Sequence, residues 1–447
     1  MRFKNDESND DVIEVAPVTA FPSPFPRTCF EIAKSVQKDV NLLMHKVAYD
    51  HDFLTTTLQS TIKVDDFTRN LFDIYMRAHS SGSAQVASFG LFRADYMCDK
   101  VEDDFRVKQV EVNAIASSFV GLSSKVSDLH RYTISKYSSA DKAKANVPVN
   151  NADKNYASAF VRAWNIYDNP SSVILVVKEE RTINICDQRS LEFSISQLLP
   201  EINIIRRSFS QLLESVTLRE NQRLFVDNHE VAVVYYRYGY DPFHYVTDEM
   251  WTLRYKIEIS RAIKCPSINY HLAGVKKVQQ TLADKVLLER FIDNKAATLM
   301  HSTFAGLWGF EMNEQGDEAV QLAFSEPSRF VMKPQREGGG NNIYGVDIVG
   351  ALTPIRNSKQ REAYILMEMI NPLPIKNIIL GPNISIDQNQ PYCEIISELG
   401  IYGAICGNRD EVFFNEESGH VLRSKKLGIN EGGIAAGYGA IDSPYLI

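Results

Sequence analysis

The chain of 447 residues lacks the features that would place it in a membrane or on nucleic acid. No stretch reaches the roughly 18 uncharged apolar residues that a membrane-spanning helix needs. The net charge of -8 excludes the strong positive field of a nucleic-acid-binding protein. The first eleven residues are polar and acidic, unlike a secretory signal. We therefore expect a cytoplasmic protein that binds neither membranes nor nucleic acid.

Several motifs of metal and nucleotide chemistry are also missing. The six cysteines are scattered without a C-x-x-C pair, which is typical of reduced thiols in the cytosol. No Cys/His cluster has the spacing of zinc ligands, and neither H-E-x-x-H nor G-x-S-x-G occurs. The Walker order G-x-x-x-x-G-K-[ST] is absent as well. A zinc site and a Walker-type phosphate loop are thus not predicted.

The most informative segment that is present is 333–345, KPQREGGGNNIYG, which follows a short β-type run. Lys333 offers a positive charge for phosphate, and Glu337 offers a hard oxygen ligand for magnesium. Gly338, Gly339 and Gly340 have no Cβ, so their backbone N–H groups can approach an anion closely. The segment outlines a nucleotide-binding loop, although a flexible polar turn explains it equally well when it is taken alone.

A second pattern lies in 105–113, where Gln109, Glu111 and Asn113 alternate with apolar residues. Side chains two apart share one face of a strand, so Glu111 and Asn113 point the same way. A carboxylate and an amide oxygen on one face suit Mg²⁺. From spacing alone, the solvated face of an edge strand is the commoner explanation.

Cations recur at two other places. Arg423 and Lys425 precede a loop of small residues, 431–439, which suits an anionic substrate beneath a lid or, alternatively, a flexible tail. Lys276 and Lys277 begin a helical pattern that we expect to run from 276 to 299. Lysines at such a position more often face solvent than a ligand.

The middle of the chain predicts a parallel sheet. Residues 173–177 are a continuous apolar run, as in a strand buried on both faces. A helical stretch at 189–199 and further strands at 202–206 and 231–235 follow. Alternation of strand and helix indicates a small parallel α/β unit over about 171–272.

Taken together, these segments resemble the eukaryotic glutathione synthetases, which are ATP-grasp ligases. The resemblance extends in family order over nearly the whole chain after residue 15, and the thirteen-residue glycine segment is its most specific part. The matching stretches are 110–113, 184–189, 231–235, 260–266, 272–280, 333–345, 364–368, 397–400, 422–425 and 432–437.

The resemblance implies an α/β fold of the ATP-grasp type, with an antiparallel-sheet main body, a parallel-sheet substrate domain and a lid. The implied boundaries are 1–170 for the first part of the main body, 171–272 for the substrate domain, 273–306 for main-body helices, 307–393 for the lid and 394–447 for the last part of the main body.

The implied reaction joins γ-glutamylcysteine to glycine with ATP as co-substrate and two Mg²⁺ ions per site. The cysteinyl carboxylate is phosphorylated first, and the glycine amine then displaces phosphate. The family forms homodimers. Two alternatives stay open, namely a ligase that uses another amino acid such as β-alanine and a nucleotide-binding protein without turnover.

The resemblance also implies a role for each matching residue. Metal ligands are Glu111, Asn113 and Glu337. Catalytic residues are Arg93, Arg423 and Lys333. ATP contacts are Lys276, Lys333, Gly338, Gly339, Gly340, Asn342, Tyr344, Met367, Glu368, Ile370, Glu398, Lys425 and Glu431. Substrate contacts are Arg93, Ser118, Asn184, Gln188, Arg237, Tyr240, Arg423, Ile434 and Ala435.

Three positions depart from the family pattern. Ala116 stands where many relatives have serine, and Thr182 stands where glutamate is expected near the substrate's amino group. The stretch 428–430 also differs from the usual acidic or histidine-containing one. These departures leave the implied metal ligands and lysines in place.

Overall fold

The computed structural model describes residues 2–3, 13–102, 104–137, 145–335, 340–382, 391–430, 434 and 439–447. The α-helices within these ranges are α1 (Arg27–Ser35), α2 (Gln37–Tyr49), α3 (His51–Leu58), α4 (Asp66–Ser81), α5 (Val120–Tyr137), α6 (Ala152–Tyr167), α7 (Ile185–Leu198), α8 (Phe209–Ser215), α9 (Asp248–Glu258), α10 (Ile268–Ala273), α11 (Lys276–Thr281), α12 (Lys285–Glu289), α13 (Asn294–Ser302), α14 (Glu314–Ser325) and α15 (Val346–Leu352). None of them is long and apolar enough to span a membrane.

The strands of the same ranges form three larger sheets and two short pairs. They are β1 (Arg2–Phe3), β2 (Ile13–Glu14), β3 (Val18–Thr19), β4 (Ser23–Phe25), β5 (Ser88–Val101), β6 (Asp104–Asn113), β7 (Val173–Val177), β8 (Asn203–Arg207), β9 (Val216–Arg219), β10 (Arg223–Val226), β11 (His229–Tyr236), β12 (Ile263–Cys265), β13 (Leu307–Gly309), β14 (Phe330–Pro334), β15 (Ile343–Tyr344), β16 (Tyr364–Glu368), β17 (Ile375–Asn377), β18 (Ile379–Leu380), β19 (Cys393–Gly407), β20 (Val412–Lys426), β21 (Gly439–Asp442) and β22 (Pro444–Leu446).

The largest sheet has the strand order β18-β3-β21-β20-β19-β5-β6, with β17 attached to β19. Its long central strands pair antiparallel, and β3 and β21 meet as a parallel pair. Strands β5 and β19 are buried over most of their length, and β20 over its second half, because helices pack on the sheet. The predicted mixed α/β fold is confirmed, and this sheet contains the longest strands among the described residues.

The second sheet contains the strands predicted for the middle of the chain. Strands β8, β7, β11 and β12 are mutually parallel neighbours, and α7 connects β7 to β8. Two antiparallel strands, β10 and β9, extend the edge, which the sequence analysis did not predict. Strand β10 pairs with β11 because the chain makes a two-residue turn at Asp227 and Asn228, whose φ angles are 50° and 66°.

The third sheet, β13-β16-β14-β15, is small and antiparallel. Phe310, Phe330, Met332 and Leu366 form its own hydrophobic core with apolar residues of α14 and α15. This separate core lets the 307–368 region pack as a unit beside the large sheet.

The single helix expected over 276–299 is wrong, because the structure divides this stretch into α11, α12 and α13. Asp284 accepts a hydrogen bond from the Val286 N–H, and Asp293 accepts one from the Ala296 N–H. Each carboxylate therefore begins a new helix.

Asp187 of α7 supports the start of α5. Its carboxylate accepts hydrogen bonds from the N–H groups of Phe119 (2.7 Å), Gly121 (3.0 Å) and Leu122 (3.1 Å). Burial raises the pKa of Asp187, and the positive charge of Arg237 opposes that rise. Phe119 has a φ of 78°, a backbone conformation that residues other than glycine rarely adopt. The Asp187 carboxylate stabilises this conformation by accepting the Phe119 N–H.

We expect Asp187→Ala to lower the free energy of unfolding by about 2 kcal/mol, because the first turn of α5 loses its buried acceptor. Urea unfolding of the purified protein measures this change. Asp128→Ala is the matched control, since Asp128 is exposed on α5 itself. Equal midpoints for the two variants would contradict the role of Asp187.

Candidate active site

The register of four antiparallel strands places charged side chains on one face of the large sheet. Arg93 and Asp95 of β5 lie opposite Asn113 and Glu111 of β6. On the other side of β5, Gly400 of β19 lies opposite Asp95. A Cβ at Gly400 would lie 2.7 Å from Arg93 Cδ and 2.8 Å from Asp95 Oδ1. Glycine is required there because the buried ion pair occupies the space of a side chain.

Asp95 is the centre of this cluster. It accepts two hydrogen bonds from Arg93, with Nε–Oδ1 of 2.6 Å and Nη2–Oδ2 of 2.8 Å. Arg423 Nη2 and Asn113 Nδ2 donate to Oδ2 from 2.8 Å and 2.9 Å. Burial alone would lower the pKa of Arg93, but the Asp95 carboxylate raises it well above its usual range. Asp95 thus fixes both arginines in charged, oriented form.

Asp95 was not among the predicted site residues, although the sequence contains a signal for it. Arg93 and Asp95 are two residues apart within an otherwise apolar run, so a strand would place them on one face. An ion pair inside an apolar strand is unusual enough to mark a buried functional network.

Two lysines from outside the large sheet reach β6, one at the Glu111 carboxylate and the other at the backbone beside it. Lys276 Nζ donates to Glu111 Oε2 at 2.5 Å, and Lys333 Nζ donates to the Val110 carbonyl at 3.1 Å. Burial lowers the pKa of Lys333 to about 8, although the Glu111 carboxylate opposes this. Burial also disfavours the charged form of Glu111, but Lys276 and Lys333 hold its pKa well below the ordinary value. Glu111 is therefore ionised between two ammonium groups.

An apolar pocket adjoins the lysine pair. Its apolar lining includes Phe304, Ala305, Leu307, Ile365 and Met367, and its polar lining includes Glu111, Lys276 and Lys333. Apolar side chains therefore lie directly beside the two lysines.

A second group of predicted residues meets at the carboxyl ends of the parallel strands. Arg237 donates from Nη2 to Ser118 Oγ at 2.6 Å and from Nη1 to the Ser117 carbonyl at 2.9 Å. Asn184 Nδ2 lies 3.4 Å from Ser118 Oγ, and Gln188 Nε2 donates to Asn184 Oδ1 at 2.8 Å. Four of the predicted substrate contacts are thus joined in one hydrogen-bond network.

Tyr402 connects this network to the charged cluster. Its hydroxyl donates to the Ser118 carbonyl at 2.6 Å, and its backbone lies opposite Arg93 in the sheet. Tyr240 is within electrostatic reach of Arg237: burial and the Glu179 carboxylate raise the pKa of Tyr240, and the Arg237 charge opposes that rise. The two predicted regions therefore form one continuous site.

Two arginine N–H groups in the site are buried without a hydrogen-bond partner among the described residues. They are Nε of Arg237 and Nε of Arg423. Buried donors are nearly always paired, so an unpaired one in a charged pocket is suited to an anionic ligand.

The remaining predicted ATP contacts surround the pocket less tightly. Glu398 pairs with Arg423, and Glu368 pairs with Arg329 at 3.4 Å with its side chain 43% exposed. Ile370 packs on the small cluster around Met367 and Val331. None of these contacts by itself assigns a ligand.

Further predicted residues converge on one backbone carbonyl. Tyr344 OH and Lys425 Nζ both donate to the Asn430 carbonyl, from 3.4 Å and 2.6 Å, and Asn342 Nδ2 donates to Tyr344 OH. Gly340 has a φ of 97°.

Ile434 is 3% exposed and packs with the core of the large sheet. The predicted residues that lie outside the described ranges are Glu337, Gly338, Gly339, Glu431 and Ala435.

Comparisons with known proteins show the family to which the chain is similar. Residues 1–446 match the family model of the eukaryotic glutathione synthase ATP-binding domain. The glutathione synthetase of Homo sapiens is 41% identical and that of Mus musculus 42% identical, each over all of this chain and 93% of the relative. The chloroplastic glutathione synthetase of Arabidopsis thaliana is 40% identical over 97% of this chain and 79% of its own length.

A solved structure has the same fold. The glutathione synthetase-like effector of Globodera pallida in its apo form superposes with a TM-score of 0.77 at 25% identity, covering 98% of this chain and 92% of that one. Fold, charged site and full-length similarity define an ATP-dependent ligase. Within that class, the chain belongs to the eukaryotic glutathione synthase family.

Proposed function

We propose that this chain joins γ-glutamylcysteine to glycine at the expense of ATP, giving glutathione, ADP and phosphate. The observation that carries the proposal is the cluster in which four cations, Arg93, Arg423, Lys276 and Lys333, lie around three carboxylates, Asp95, Glu111 and Glu398. A surplus of oriented cations is what a reaction between two anions needs.

The chemistry follows from charge. The cysteinyl carboxylate and the γ-phosphate of ATP repel each other, so fixed cations must bring them together before a phosphoryl group can transfer. We assign Lys276 and Lys333 to the ATP phosphates and Arg93 and Arg423 to the reacting carboxylate. The amine of glycine then attacks the acyl phosphate carbon, and phosphate leaves.

The donor set fits a hard divalent cation such as Mg²⁺. Glu111 is ionised, and Asn113 uses its Nδ2 for Asp95, which leaves its amide oxygen directed away from that bond. We propose that Glu111 and Asn113 hold Mg²⁺ together with Glu337, whose position lies outside the described residues. The bound ions would neutralise charge on the phosphate oxygens.

We further propose the ATP-grasp arrangement, with 307–393 as a lid over the main body and 171–272 as the substrate domain. The separate core of the small sheet and the reach of Lys333 from β14 to Val110 of β6 support a lid that contributes a cation. Assembly as a homodimer and a cytoplasmic location are inferred from the family and from the reduced thiols.

The decisive experiment measures phosphate release and product mass with ATP, Mg²⁺ and γ-glutamylcysteine, with and without glycine. We expect glutathione and one phosphate per product. A preference for β-alanine over glycine would make the chain a ligase of the second kind. ATP binding without phosphate release would make it a nucleotide-binding protein without turnover.

The pKa of Lys333 near 8 leads to a pH-dependent prediction. Below that pKa the ammonium is charged and attracts phosphate. Above it the lysine becomes neutral, whereas the terminal phosphate of ATP is already mostly ionised at pH 7. We expect ATP affinity of the ligand-free protein to fall as pH rises from 7 to 9 by about tenfold, the cost of losing one charge-assisted contact. Calorimetric titration measures it, and Lys333→Arg is expected to abolish the pH dependence. A flat profile in the unaltered protein would contradict the role of Lys333.

A further inference from the structure

The loop between β7 and α7 brings one more carboxylate to the substrate pocket. The Arg237 N–H donates to the Val177 carbonyl at 2.8 Å, where β11 and β7 end side by side. Glu179 follows two residues after Val177, and Arg237 and Tyr240 follow the end of β11. The carboxyl ends of adjacent parallel strands therefore place Glu179 beside the pocket residues.

The Glu179 side chain is held in position from within its own loop. Thr182 is only 6% exposed, and its hydroxyl donates to Glu179 Oε2 at 3.2 Å. Among the described residues, no group donates a hydrogen bond to the other oxygen, Oε1. The Glu179 charge reaches the pocket, since after burial it is the leading cause that raises the pKa of Tyr240 and of Tyr238.

Neighbouring carboxylates are committed elsewhere. Asp187 accepts three backbone N–H groups at the start of α5. Glu180 is exposed and accepts a hydrogen bond from Ser210 at 2.6 Å. Glu179 is therefore the carboxylate near Arg237 that retains an oxygen for a ligand.

We propose that Glu179, positioned by Thr182, binds the α-ammonium group of the glutamyl moiety of γ-glutamylcysteine. The inference rests on the proposed function and adds to it a specificity-determining residue. The glutamyl end of this dipeptide is a zwitterion, and Arg237 with Ser118 and Asn184 offers donors for its α-carboxylate. Glu179 supplies the opposite charge across the same pocket, so the pair distinguishes a zwitterion from a plain carboxylate.

The test compares Glu179→Gln, Thr182→Val and the matched control Glu180→Gln in the phosphate-release assay. We expect Glu179→Gln to raise the KM for γ-glutamylcysteine about 10- to 100-fold, the range of a hydrogen bond between charged groups, with the KM for ATP unchanged. Thr182→Val should raise it less, since the carboxylate remains but loses its support. Glu180→Gln should behave like the unaltered protein.

A second substrate separates recognition of the ammonium from a general loss of fit. Glutaryl-cysteine has the same chain without the amino group. The unaltered protein should prefer γ-glutamylcysteine over it at least tenfold, whereas Glu179→Gln should accept both within about threefold. Thermal unfolding of each variant shows whether it is folded.

The outcomes test the proposed function and the role of Glu179 separately. Activity of the unaltered protein with γ-glutamylcysteine establishes the proposed function independently of Glu179. If that activity is present and Glu179→Gln retains both its KM and its preference for the amino group, the assignment of Glu179 is overturned. Should the unaltered protein fail to release phosphate, the proposed function itself is at fault.

Discussion

Asp95→Asn is expected to lower both stability and turnover more than any surface substitution. The change keeps the shape of the side chain but removes the negative charge between buried Arg93 and partly buried Arg423. Breaking a buried ion pair by neutralising one partner costs about 3 to 5 kcal/mol, because the remaining charges have lost their counterion. Urea unfolding should show a loss in this range.

Turnover should fall for a different reason. Without Asp95 the two guanidinium groups are no longer held in one orientation, and we expect kcat/KM for γ-glutamylcysteine to fall at least 100-fold, equivalent to about 2.7 kcal/mol of transition-state stabilisation. Asp66→Asn is the matched control, since Asp66 pairs with Arg69 at 2.8 Å but is 82% exposed. It should cost less than about 1 kcal/mol and leave turnover intact. Equal effects of the two variants on stability and turnover would contradict the role assigned to Asp95.

Glu111→Gln is expected to reduce kcat by about 1,000-fold or more while the protein remains folded. The substitution removes one hard ligand of the proposed Mg²⁺ site, which is worth several kcal/mol in the transition state, and each 1.36 kcal/mol is tenfold in rate. It also leaves Lys276 and Lys333 without their shared anion. The Lys333 pKa should then fall below about 8, so that ATP affinity declines at a lower pH than in the unaltered protein.

These two readouts distinguish the metal from the lysines. Raising Mg²⁺ should partly restore kcat in the variant if Glu111 is a ligand, whereas the displaced pH profile should persist at any Mg²⁺ concentration. Glu289→Gln, which breaks an exposed pair with Lys285, serves as the control. Near-normal phosphate release by Glu111→Gln at ordinary Mg²⁺ would refute the assignment.

The alternation of residues along the strand was sufficient to place Glu111 and Asn113 on one face. It did not show which other residues lie beside them on that face. The answer depends on β19 and β20, about 300 residues further along the chain, whose pairing carries Gly400 and Arg423 to the same place. Spacing within one strand contains no information about such partners. This is why a solvated face was the commoner expectation and a buried ionic network is what the fold builds.

Elsewhere the physical reason for a miss is local. The helical pattern over 276–299 predicted one helix. Asp284 and Asp293 divide it, because each carboxylate accepts a backbone N–H and begins a new helix. The interruptions, three residues after α11 and four after α12, have a consequence for the site. Helix α11 begins with Lys276, whose side chain reaches Glu111, and already ends at Thr281. The continuous apolar run of 173–177, by contrast, left little choice but a buried strand.

Gly400 leaves the space that the side chains of Arg93 and Asp95 occupy, so a substitution at this position should inactivate the protein although glycine has no side chain. In a saturation scan, Gly400 should reject even alanine, since a methyl group would collide with Arg93, Asp95 and Val421 at 2.7 to 2.9 Å. A geneticist who mapped inactive alleles would then find a hit in the middle of a long strand, at a residue with no side chain to carry chemistry. Such a variant would be inactive because its new side chain overlaps its neighbours. Replacing Val421 by a smaller residue is the expected suppressor.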